Sequence, residues 1–65
     1  MTPEQERLAA ALAIERIHGD GAPLFIAERL GAMALAGDAE NLERWREIAV
    51  QLDRLRRPPG DSPRM

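Results

Sequence analysis

The sequence predicts an all-α protein, a small three-helix up-down-up bundle with a disordered C-terminal tail, and three observations carry that expectation. Two Gly-Asp dipeptides, Gly19-Asp20 and Gly37-Asp38, divide the chain ahead of its proline-rich end into three stretches of similar length. In each dipeptide a residue that closes helices in the left-handed conformation precedes one whose carboxylate can cap the free N–H groups of the next helix. Within the stretches, apolar residues recur three and four positions apart, the helical period, and no run alternates as a strand would. Pro58-Pro59-Gly60 then stops the last helix and leaves a short polar tail. The helices are expected at about 3–18, 22–36 and 39–57, in a single domain over about 1–57, with 58–65 as the tail.

The first helix opens with Thr2, Pro3 and Gln5. These are a capping hydroxyl, a Pro suited to the first turn, and a Gln able to reach back to the N–H of the cap. Ala10, Ala13, Ile14 and Ile17 form one stripe on a helical wheel, while Leu8 and Leu12 lie on another side, so one partner helix cannot cover both.

The second helix begins near Ala22-Pro23 and carries only Glu28 and Arg29 as charged residues. Leu24, Phe25, Ile26, Leu30, Met33 and Leu35 surround its axis, which places it at the centre of the bundle by the rule that an all-round apolar helix is buried. Gly31 with Ala27 makes a small-residue patch, read as the point where the Ala-rich stripe of the first helix approaches. The third helix has Asp38 as its cap and Glu40 in its first turn. Its stripe of Trp45, Ile48, Leu52 and Leu55 is widened by Leu42 and Ala49, and Glu40–Arg44 and Asp53–Arg57 are possible pairs one turn apart. Very short links force consecutive helices to run antiparallel. The expected core anchors are Ile14, Ile17, Leu30, Gly31, Trp45, Ile48, Leu52 and Leu55, with Trp45 read as core in preference to a partner-facing knob.

With 65 residues the chain forms one domain at most, and a core this small is only marginally stable alone. It has no cysteine, so neither a disulfide nor a thiolate metal site supports it; oligomerisation or a partner is the remaining route. All nine basic residues are Arg and the formal net charge is −2, so no positive field gathers nucleic acid or anionic lipid. The longest apolar run, Leu8 to Ile14, is far too short to cross a membrane, and no charged leader precedes it. The expectation is a soluble, cytoplasmic chain.

Nothing in the sequence assembles a catalytic set, a cofactor site or a metal site, and no small-molecule substrate is evident. The only His, His18, stands beside Gly19 in the last turn of the first helix, read as a solvated ring near the helix-end carbonyls. Glu43 and Glu47 share a helix face without a neighbouring His, the pattern of a solvated charged surface. Neither Gly-Asp turn has the Lys or the spacing of a phosphate loop.

Ile26-Ala27-Glu28-Arg29-Leu30-Gly31 resembles the first helix and turn of a helix-turn-helix, which would make the protein a DNA-binding regulator. The Ala, Met and Leu that follow are not the polar and basic side chains that read bases. The second and third helices also resemble a single tetratricopeptide hairpin, through Leu30-Gly31, Gly37-Asp38, Leu42 and Ala49, although the two glycines stand one residue too close for that family. Taken whole, the chain resembles a family of short uncharacterised bacterial proteins. The resemblance rests on Ala11-Leu12-Ala13-Ile14-Glu15-Arg16, on Ala22-Pro23 with Phe25-Ile26-Ala27-Glu28-Arg29, on Leu35-Ala36-Gly37-Asp38, and on Trp45-Arg46-Glu47-Ile48-Ala49 with Leu52-Asp53. It implies a compact helical domain and brings no activity with it.

The functional expectation is therefore a non-catalytic helical protein-interaction module, probing a second copy of itself or another helical protein through Leu8, Leu12, Leu24 and Leu35. It rests on a surplus of apolar faces. The helix-turn-helix regulator is the alternative.

Overall fold

Thr2 starts the first helix with the two hydrogen bonds that its neighbours anticipate. Its hydroxyl accepts from the Gln5 backbone N–H at 3.1 Å, and the Gln5 side-chain oxygen accepts from the Thr2 N–H at 2.9 Å. In the computed structural model, which describes residues 1–57, α1 follows over Pro3–His18, α2 spans Ala22–Ala36 and α3 spans Ala39–Arg56. The expected tail, 58–65, lies outside the described residues. Helix α3 stops one residue before the expected end: Arg57 is extended (φ −82°, ψ 128°), as the residue before a proline tends to be.

The two Gly-Asp dipeptides behave differently. Gly37 is left-handed (φ 71°, ψ 24°) and closes α2, its N–H donating to the Ala34 carbonyl at 3.2 Å while the Asp38 N–H donates to that of Met33 at 3.0 Å. Asp38 then caps α3. Its carboxylate accepts from the Asn41 side chain at 2.8 Å and from the Asn41 backbone N–H at 3.3 Å, and these two bonds hold its pKa below the ordinary carboxylate value. At the other dipeptide Asp20 caps nothing. It sits inside a single 3₁₀ turn, Gly19–Gly21, and the cap position of α2 falls to Gly21, which has no side chain to offer. The turn joins α1 to α2 without a break, so helical backbone runs from 3 to 36 and again from 39 to 56, two uninterrupted runs where three separated ones were expected.

The core consists of Ala11 and Ile14 from α1, Ala22 and Ile26 from α2, and Ile48 and Leu52 from α3. Phe25, Leu30, Trp45 and Ala49 pack around its edge, half-buried. Helix α3 packs extensively on both other helices, whereas α1 and α2 meet each other much less. The central element is thus α3, not the nearly uncharged α2, because the α3 stripe of Trp45, Ile48, Ala49 and Leu52 is broad enough to face two neighbours. Long-range ion pairs reinforce this arrangement, the two shortest being hydrogen-bonded: Arg7 donates to Glu47 at 2.9 Å, and Arg56 donates to Glu15 at 3.0 Å and also to the Gly19 carbonyl at 3.3 Å. Asp53–Arg57 forms at 3.1 Å, and Arg46 pairs with Glu43.

Three expected core residues are displaced by that one change. With α3 as its partner, α1 buries the side centred on Ala11 and Ile14, so Ile17 turns to water and is 77% exposed. Leu55 is 40% exposed at the edge of the α1–α3 contact. Gly31 is also exposed, and a Cβ built on it meets nothing within 4 Å, because α1 does not pack on that side of α2. Gly31 is therefore not a contact point within the chain. Gly31→Ala should raise stability by about 1 kcal/mol through helix propensity alone. A thermal melt at low micromolar concentration reads this directly, and a lowered midpoint would show that the space is filled.

Candidate interaction surface

Helix α2 combines the most apolar sequence of the three with a peripheral position, and its outer side shows the consequence. Leu24, Ala27, Gly31 and Leu35 recur at spacings of three, four and four, forming one stripe that is exposed throughout. Leu24 is 64% exposed and Leu35 93%. No charged side chain belongs to the stripe; Glu28 stands at its rim. Gly31 lies in its middle with open space where a side chain would be.

Leu8 and Leu12, the other pair anticipated for the surface, are exposed on α1. The fold brings Leu12 beside Leu55, in a shallow depression whose charged wall is the Glu15–Arg56 pair. Leu55 thus belongs with the surface set and not with the core anchors. Of those anchors, Ile14, Ile48 and Leu52 are buried, while Leu30 and Trp45 are half-buried. Trp45 lies at the rim of the core.

Between α2 and α3 runs a groove of roughly 340 Å³. Its floor is formed by Ile26, Leu30, Ala49 and Leu52, and Pro23 closes it at the end where Arg56 lies. Arg56, at the end of α3, reaches Gly19 and Asp20 just before α2 begins, while the turn at 37–38 joins the opposite ends, so the two helices run antiparallel. Its charged members are engaged elsewhere, Asp53 with Arg57 and Arg56 with Glu15, so what the groove offers is apolar contact. Glu47 is held by Arg7 and Glu43 by Arg46, which leaves those two carboxylates turned to different partners.

The helix-turn-helix resemblance required a turn at Gly31, but α2 continues unbroken to Ala36. His18 does not stand alone in solvent: its ring stacks on Phe25 with centroids 4.1 Å apart. Phe25 in turn meets Trp45 edge-on at 6.0 Å, and the Arg29 guanidinium lies over both rings. Sequence reasoning missed this cluster. The signal available was the spacing of Phe25 and Arg29, one turn apart on the only aromatic-bearing face of α2. Among the described residues, no helix is long and apolar enough to cross a membrane.

The model of a family of unknown function, DUF6961, matches residues 3–58, which include all three helices, and the chain belongs to that family. No curated protein and no solved structure matches it.

Proposed function

We propose that this DUF6961 member is a non-catalytic helical interaction module that associates with a second copy of itself, acting in the cytoplasm, as its lack of cysteines fits. One observation carries the reading: a helix with two charged side chains among fifteen residues lies at the side of its bundle instead of the middle. Such a helix leaves an apolar stripe in water, and burying it against another copy removes that apolar surface while its one charged neighbour, Glu28, stands at the rim. Gly31 lets a helix backbone approach closely at the centre of the stripe, which gives a function to a residue that otherwise only weakens α2. A contact made chiefly by one helix of this length lies at the small end of protein interfaces, so the association is expected to be reversible.

Sedimentation of the full chain from low to high micromolar concentration tests this. The wild type should show a mass that rises with concentration. Leu24→Glu with Leu35→Glu should leave a folded monomer, since both positions face water in the single chain. Leu8→Glu with Leu12→Glu should weaken association less, because each of those leucines is partly covered within its own chain. A wild type that stays monomeric throughout ends the proposal.

A further inference from the structure

The chain contains one Trp, one Phe and one His, and all three lie in a single ladder at the surface. His18 stacks on Phe25 with an interplanar angle of 18°, and Phe25 contacts Trp45 at a steep 65°. The guanidinium carbon of Arg29 stands 5.6 Å from the centre of the Trp45 ring and 5.8 Å from that of Phe25. His18 and Arg29 are exposed, and the other two rings are half-buried.

Arg29 differs from the arginines that join the helices. Arg7, Arg54 and Arg56 make ion pairs between α1 and α3, while Arg46 and Arg57 pair within α3. Arg29, like Arg16 and Arg44, has no such pair among the described residues, and unlike those two it lies over two aromatic rings. A guanidinium lying over aromatic faces keeps its N–H edge available for a planar, two-oxygen acceptor. Trp and Arg together are also the composition that dominates binding hot spots.

We propose that this ledge is a second interaction surface, which takes a carboxylate-bearing segment of another protein. The carboxylate meets the N–H edge of Arg29, and an adjoining aromatic or apolar side chain lies on the outer face of the exposed His18 ring, which is backed by Phe25. Charge selects a protein segment over a nucleic acid. A phosphodiester chain needs several basic contacts, whereas this chain carries a net charge of −2, and the immediate sequence neighbours of Arg29 are Glu28 and Leu30. Arg29 is about 200° around α2 from Gly31, so the ledge and the self-association stripe lie on opposite sides of the helix and can succeed or fail separately.

Trp45, the only Trp, reports on the site through its fluorescence in the full chain. The probe is a blocked peptide alternating Glu with Phe, compared with the same peptide carrying Gln for Glu and with an oligothymidylate. The acidic peptide should shift the emission saturably, and the neutral one should bind about tenfold more weakly, the loss expected of a charge-assisted hydrogen bond. Arg29→Gln should remove this preference while its melt confirms a folded chain. Arg29→Lys, which keeps the charge and loses the planar edge, should retain part of it, and serves alone if the Gln variant fails to fold. Equal binding of the two peptides, an undiminished preference in either Arg29 variant, or tighter binding of the oligothymidylate overturns the proposal.

Discussion

Leu52→Ala should leave the chain largely unfolded near room temperature. Leu52 is 3% exposed and belongs to α3, the helix on which both others pack, so its side chain is shared by the whole core. Truncating a buried Leu costs about 2 to 5 kcal/mol, through lost transfer free energy and the cavity left behind. A core in a domain this small supplies roughly 3 to 5 kcal/mol of net stability, so the loss is comparable to the whole. Leu55→Ala is the internal control: three residues further along the same helix but 40% exposed, it should cost only about 1 kcal/mol. Trp45→Ala should fall between the two, since the ring is half-buried at the core edge. Thermal and urea melts followed by circular dichroism rank the three. A mild Leu52 effect would mean that α3 is not the centre of the core.

Gly19→Ala should also be damaging, at about 1 to 3 kcal/mol, although nothing lies within 4 Å of the added methyl. The cost is conformational. Gly19 has φ 55° and ψ −126°, a mirror image of extended backbone that only glycine adopts readily. Gly37 also has positive φ, but its ψ of 24° puts it in the left-handed helical region, where Asn is tolerated. Gly37→Asn should therefore cost clearly less than Gly19→Ala in the same melt. Equal losses would show that the 3₁₀ turn relaxes to accommodate a side chain. The contrast with Gly31→Ala, expected to stabilise, separates three glycines of one chain by backbone geometry alone.

The local features of the fold were legible because each depends on residues within a turn of one another. Thr2, Pro3 and Gln5 specify the start of α1, Ala22-Pro23 that of α2, and Asp38 with Asn41 that of α3, since caps are satisfied by neighbours in sequence. Asp20 shows the limit of this reasoning. Gly-Asp is compatible with a cap or with a turn; here Asp20 sits in the 3₁₀ turn, fully exposed, with the Arg56 side chain, thirty-six positions away, at 3.6 Å.

Sequence periodicity determined that the protein is all-α and which residues could be apolar stripes; it did not determine which stripes meet. Composition favoured α2 as the central helix, but burial depends on how faces interlock, and the wider face of α3 received both neighbours. That one decision exposed Ile17, Leu55 and Gly31, and it left Leu24 and Leu35 on an outer side that the sequence had marked as surplus. The ladder of His18, Phe25, Arg29 and Trp45 likewise exists only in three dimensions. The turn at Gly37-Asp38 folds α3 back along α2 and sets Trp45 against residues sixteen and twenty positions earlier, a proximity that no helical period encodes.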